Sequence, residues 1–151
     1  MTKHMAMGGQ ELKELHKLLV DSTRNYHSVA KRVNDEQVKD LLLDIADQQT
    51  VLEEELGEYL GRETSDHGTL GGTLGRVGFA ARDLLNNTSE VNLLVECERE
   101  QGNLIGQYDR LLNQGHYPPE TRTMLEHQRA ISEEFLRSVI GMRESLESVN
   151  R

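Results

Sequence analysis

Residues 38–60 read VKDLLLDIADQQTVLEEELGEYL, and this stretch decides the fold. Apolar side chains recur in it at alternating spacings of three and four, which places them on one stripe of a helix and is typical of a helical bundle. The stripe consists of Val38, Leu42, Ile45, Gln49, Leu52, Leu56 and Tyr59. Only one of these positions, Gln49, carries a side chain that strongly favours water.

The same pattern occurs in three further stretches, so the sequence predicts four helices. Each stripe is interrupted near its middle by one polar residue. The predicted helices span residues 10–34, 36–60, 90–113 and 119–146. The polar interruptions are Ser22, Gln49, Gln101 and Gln128, in that order along the chain.

The connections between the stripes predict the topology. Asn34 and Asp35 form a turn too short for anything but an antiparallel hairpin, and Asp35 is a plausible N-cap. Gly115 closes the third helix, and Pro118 and Pro119 open the fourth, which gives a second hairpin.

The glycine-rich segment 61–89, with a short predicted helix over residues 74–85, joins the two hairpins, and Ser89 at its end can cap the third helix. If the second and third helices are parallel, this segment has to cover roughly 36 Å, the length of a helix of about 24 residues. The prediction is therefore an all-α, ferritin-like up-down four-helix bundle in which residues 1–151 form a single domain.

Composition and charge exclude several classes of protein. The 151 residues include 17 basic and 26 acidic ones, a net charge of −9, and this acidic balance argues against a nucleic-acid partner or an anionic membrane. The single cysteine fits a cytoplasmic protein. We find no signal peptide in the first residues and no stretch approaching the roughly 20 apolar residues that cross a bilayer.

The four polar interruptions fall at about the same height in the predicted bundle. Together with Tyr26 they form what we call the polar layer, defined as Ser22, Tyr26, Gln49, Gln101 and Gln128. One interpretation is a buried, mutually hydrogen-bonded layer that sets helix register. The other is that the stripe is approximate and that some of these side chains reach solvent.

Bundles of this shape often bind two metal ions at this height. Such sites use one glutamate from each of two helices and a Glu-x-x-His pair from each of the others. None of the six histidines follows an acidic residue by three positions, so no intact metal site and no cofactor are predicted. A degenerate site is the alternative, and its candidate ligands are Asp21, Asp47, Glu98 and Glu126.

Other chemistry has less support. Cys97 lies on the stripe of the third helix, which favours a buried apolar role over a nucleophile. The glycines of the crossover match neither a phosphate-binding loop nor a dinucleotide fingerprint. The acidic run from Glu53 to Glu55 is expected to face water.

Four blocks of sequence resemble a bacterial family of ferritin-like four-helix proteins of unknown function. They are residues 21–26, residues 68–85 beginning Gly-Thr-Leu-Gly, residues 96–99 (Glu-Cys-Glu-Arg), and residues 118–128 beginning Pro-Pro. The resemblance implies the bundle fold, a bacterial source and a cytoplasmic setting, with no established activity.

The chain departs from the family at three places in the middle of the bundle. The family favours Asp-Gly-Glu where this chain has Asp21-Ser22-Thr23, and Gly-Glu where it has Glu100-Gln101. A histidine common in the fourth helix is replaced by an apolar residue near Phe135. These departures remove carboxylates and an imidazole, which weakens a metal-binding interpretation.

The leading hypothesis is therefore a non-enzymatic bundle protein, associated with stress, that acts by binding a protein partner or by assembly into homo-oligomers. The broad apolar side of the fourth helix either covers the core or forms a dimer face; it comprises Leu125, Leu136, Val139 and Ile140. The alternatives are a metal-binding or redox protein with the degenerate carboxylate site, and a small-ligand binder with a cavity near the polar layer.

Overall fold

The computed structural model describes residues 2–61 and 89–149, with side chains from residue 9 onward, and this part of the chain is all-α. Four helices form a four-helix bundle, which confirms the predicted fold class. They are α1 (Thr2–Ala30), α2 (Glu36–Gly61), α3 (Glu90–Gln114) and α4 (Pro119–Val149). The short helix predicted within residues 74–85 lies outside the described residues.

Two helices differ from the predicted bounds by more than one residue. α1 begins at Thr2 instead of residue 10. The helix continues through Gly8 and Gly9, because glycine lowers helix propensity by about 1 kcal/mol without forbidding the helical conformation. It ends at Ala30 instead of residue 34, although Val33 stays buried and its N–H still bonds to the Val29 carbonyl at 3.1 Å. α4 continues to Val149 instead of residue 146.

The predicted caps of the helices are confirmed. Asp35 Oδ1 accepts a hydrogen bond from the Val38 N–H at 3.0 Å, at the start of α2. Ser89 caps α3 by accepting from the Asn92 N–H at 3.2 Å. These bonds satisfy amides that the first helical turn leaves without partners.

Contacts at the ends of the helices establish their directions. The N–H groups of Asn34 and Asp35 donate to Glu90 Oε2 at 2.8 and 3.3 Å, so α3 begins beside the turn between α1 and α2. At the opposite end, the Thr121 hydroxyl donates to the Tyr59 hydroxyl at 2.9 Å, so α4 begins where α2 finishes. α2 and α3 are therefore parallel, and the connection between them joins opposite ends of the bundle.

Each helix packs against two others. The neighbouring pairs are α1 with α2, α3 with α4, α1 with α3, and α2 with α4, so α1 lies diagonally opposite α4. Leucines dominate the core, and the fully buried ones include Leu15, Leu19, Leu42, Leu56, Leu94, Leu111 and Leu125. The polar layer lies within this leucine-rich interior.

Within residues 2–61 and 89–149, no helix has both the length and the apolar character that crossing a membrane requires.

Replacing Gly102 or Gly106 with alanine is expected to stabilise the bundle. Both glycines lie on the exposed side of α3, and a methyl group there would meet nothing within 4 Å. Each change should raise the free energy of unfolding by about 1 kcal/mol, measured by urea denaturation, because alanine favours the helix. Gly57→Ala is the control, since its methyl group would lie 3.2 Å from His16 Nε2. An equal gain at Gly57 would contradict the argument.

Candidate functional site: a polar layer in the bundle core

All five residues of the polar layer are buried. Gln49, Gln101 and Gln128 are 0% exposed, and Ser22 and Tyr26 are 5% and 2% exposed. A buried amide costs about 1–3 kcal/mol if its donor or acceptor lacks a partner. The hydrogen bonds of these residues therefore determine whether the layer stabilises or weakens the core.

Gln101 links three helices. Its Oε1 accepts from the Tyr26 hydroxyl on α1 at 2.7 Å, and its Nε2 donates to the Ser132 carbonyl on α4 at 3.2 Å. Both ends of the α3 amide are thus engaged, each with a different neighbouring helix. Burial raises the pKa of the Tyr26 phenol well above its ordinary value, which keeps this donor protonated.

Gln128 links another set of three helices. Its Oε1 accepts from the Tyr108 hydroxyl on α3 at 2.7 Å. Its Nε2 donates to the Leu52 carbonyl at 3.1 Å and to Glu55 Oε1 at 2.7 Å, both on α2. The α4 amide therefore holds α2 and α3 at a defined register.

Gln49 is less completely bonded. Its Nε2 donates to the Thr23 hydroxyl oxygen on α1 at 3.4 Å, while its Oε1 has no hydrogen-bond partner among the described residues. The Ser22 hydroxyl also has none there. With these contacts, side chains of the layer form hydrogen bonds across all four interfaces between neighbouring helices.

The hydrogen bonds of these five residues differ from the pairing that the sequence predicted. Counting from the turns placed Ser22 opposite Gln49, and Gln101 opposite Gln128. Within the described ranges, no hydrogen bond joins either pair, and the only bond between two members is that from Tyr26 to Gln101. The other partners are backbone carbonyls and side chains that lie outside the stripes.

The four candidate ligands of a degenerate metal site do not form a group. Glu98 is occupied by Arg143, with its two oxygens 2.6 and 3.3 Å from the guanidinium nitrogens. Asp47 and Glu126 are exposed, and Glu126 lies 3.8 Å from Arg122. No cluster of three or more His, Cys, Asp or Glu side chains suited to a metal ion occurs among residues whose side chains are described.

Cys97 is buried beside the layer and is not activated. Its exposed fraction is 1%, and burial together with the nearby Glu100 and Glu96 carboxylates raises the pKa of its thiol. A thiol with a raised pKa is a poor nucleophile at neutral pH.

Two carboxyl groups are half-buried in the structure although the stripe pattern did not predict their burial. Glu53 was expected to face water but is half-buried on α2, where its Oε2 lies 2.7 Å from the Thr23 hydroxyl. Glu100 is half-buried on α3 and accepts from Asn25 Nδ2 at 2.9 Å. Thr23 and Asn25 lie beside the apolar stripe of α1 and are also buried, so the neighbouring helices cover more of the surface of α1 than the stripe alone.

The pKa values of both carboxyl groups are raised. Burial, reinforced by Glu96 and Asp21, raises the pKa of Glu100 to about 7, against the opposing effects of Asn25 and Arg99. Burial also raises the pKa of Glu53. A carboxyl group with a pKa near 7, such as that of Glu100, exchanges protons near neutrality.

The fold and its interior define an all-α four-helix bundle with one long crossover and a hydrogen-bonded layer of amides at mid-height. The model of the protein family described as a domain of unknown function (DUF2383) matches residues 8–114, which include most of α1 and all of α2 and α3. The chain belongs to this family. Neither a curated protein nor a solved structure shows significant similarity to it.

Replacing Gln128 with leucine is expected to lower the free energy of unfolding by about 1–3 kcal/mol, because the buried Tyr108 hydroxyl loses its acceptor. Gln48→Leu on the exposed side of α2 is the matched control and should change stability by less than about 0.5 kcal/mol. Urea denaturation of the two variants provides the comparison. Equal effects would show that the amide contributes nothing specific.

Proposed function

We propose that this protein is a non-enzymatic, ferritin-like bundle protein that acts by binding another protein, with a core that is structural. The observation that carries the proposal is the hydrogen bonding of Gln101 and Gln128, whose amides engage neighbouring helices through both their oxygen and their nitrogen. Neutral side chains already committed to helix contacts have no free group for acid-base or redox chemistry.

The order of the helices supports the ferritin-like assignment. Two antiparallel hairpins joined by one crossover between parallel helices is the connectivity of ferritin-like bundles. In those proteins, glutamate and histidine side chains fill the middle of the core and bind metal. Here the corresponding height holds glutamines, which are weaker ligands because they carry no charge.

The surface of α2 supports a role in binding. This helix carries eight acidic residues and one basic residue, Lys39, and thus most of the net negative charge of the chain. Leu43 and Val51 are 37% and 61% exposed on the same helix. An acidic surface with exposed apolar side chains suits a protein partner with basic residues and disfavours nucleic acid.

The same charge disfavours assembly of identical copies through α2, because the carboxylates of two copies would repel each other.

The apolar side of α4 is no better suited to self-assembly. Leu125 and Val139 are fully buried in the core, and Leu136 and Ile140 are half-buried. These residues leave little exposed apolar area on α4, which favours the first of the two alternatives, cover for the core, over a dimer face.

A ligand cavity at the polar layer was a further hypothesis. One cleft among the described residues lies at the end of the bundle, lined in part by Asn34, Ser89, Glu90 and Leu146. Ser22 lies eight residues before Ala30, so the end of α1 beside this cleft is about 12 Å from the layer. The cleft therefore gives no support for a ligand site within the layer.

Elemental analysis tests the structural role of the core. Protein purified without a tag or chelator is expected to contain no stoichiometric iron, manganese or zinc, and its melting temperature should be unchanged by EDTA. Stoichiometric metal whose removal lowers the melting temperature would overturn the proposal and support the metal-binding alternative.

Sedimentation equilibrium tests the preference for a partner over self-assembly. Because α2 is strongly acidic, the isolated chain is expected to be monomeric over a wide range of concentrations at low salt, where repulsion is least screened. Reversible association at low salt would contradict this expectation and point to homo-oligomers.

A further inference from the structure

The Thr23 hydroxyl lies between two oxygen acceptors. Its Oγ1 is 2.9 Å from the Leu19 carbonyl oxygen and 2.7 Å from Glu53 Oε2, and it also accepts from Gln49 Nε2. A hydroxyl has a single proton and donates one hydrogen bond. With an ionised Glu53, one of the two short oxygen–oxygen contacts lacks a proton. With a protonated Glu53, the acid donates to Thr23 and Thr23 donates to Leu19, so every contact is satisfied.

Asn25 presents a second site with the same requirement. Its Nδ2 donates to Glu100 Oε1 at 2.9 Å, whereas its Oδ1 is buried without a hydrogen-bond partner among the described residues. An ionised carboxylate has no donor to offer this oxygen. A protonated Glu100 has one, and an acid paired with a primary amide forms two parallel hydrogen bonds.

We propose that Glu53 and Glu100 form a pair of proton-binding sites that attach α1 to its two neighbours, so that α1 is held more tightly when both acids are protonated. Glu53 reaches α1 from α2, and Glu100 reaches it from α3. α4 contributes neither of these acids; its contacts with α2 and α3 include the Gln128 amide and the ion pair of Arg143 with Glu98. Protonation of Glu53 and Glu100 thus acts on contacts of α1, independently of what the protein binds.

The pKa of each acid is raised on balance by its surroundings, in agreement with this assignment. Glu100 faces Asp21 on α1 and Glu96 and Arg99 on its own helix, and burial is the main reason that its pKa rises to about 7. Glu53 faces His16 and Arg24 on α1 and Glu54 on α2. Burial outweighs the opposing effects of the Thr23 hydrogen bond and the two basic groups, so the pKa of Glu53 is also raised.

The sign of the pH effect follows from these shifts. Carboxyl groups with raised pKa values bind more protons in the folded state than in the unfolded state, whose glutamates titrate near 4.5. Their stabilising contribution is complete below pH 4.5 and is lost as the pH rises through the folded pKa. For Glu100 the loss is centred near pH 7.

Urea denaturation of the full chain between pH 5 and 8.5 tests the proposal with Glu53→Gln and Glu100→Gln, because glutamine mimics the protonated acid. Each variant should have a higher urea midpoint than the wild type at pH 8.5, and the difference should decrease as the pH falls towards 5. Glu134→Gln, which removes an exposed charge on α4, is the control for net charge and should show no such trend. A constant difference between wild type and the Glu100 variant across this range would overturn the proposal.

Carbon NMR titration of the wild-type side-chain carboxyls gives a test that needs no variant to fold. One carboxyl should titrate near pH 7 and be absent from the spectrum of the Glu100→Gln protein. If all carboxyl groups titrate below pH 5, neither acid is protonated near neutrality and the proposal fails.

Discussion

A buried amide needs partners for both its oxygen and its nitrogen, and the core of this bundle depends on how that need is met. Gln101 and Gln128 meet it with groups on two neighbouring helices each. A rotation or slide of one helix would break these bonds inside a medium that offers no substitute, at a cost of about 1–3 kcal/mol per unsatisfied group. The leucine core supplies most of the stability, and the amides specify one register among several that leucines alone would tolerate.

The same requirement bears on how α1 is attached to its neighbours. Two contacts of α1 involve the half-buried carboxyl groups of Glu53 and Glu100, whereas the amides of Gln101 and Gln128 are neutral. Neutral hydrogen bonds are indifferent to pH, and carboxyl groups are not. The proposed proton binding changes how firmly α1 is held, while the hydrogen bonds of the amides stay the same.

Much of the fold followed from local pattern. The four stripes, the N-caps Asp35 and Ser89 and the crossover were all predicted, because periodicity and capping depend on residues close together in the sequence. The burial of Glu53, Thr23 and Asn25 was not predicted. They flank the stripes, and whether such positions face solvent depends on how closely the neighbouring helices approach.

The amino-acid sequence by itself determined that the chain forms four amphipathic helices and which residue interrupts each apolar stripe, since both properties are local. Only the tertiary structure decided the partners of those residues. Ser22 and Gln49 lie at similar heights yet share no hydrogen bond, while Tyr26 reaches Gln101 across 75 positions. Hydrogen bonds form over distances near 3 Å, and the rotation of each helix about its axis, which sets those distances, results from packing of the whole core.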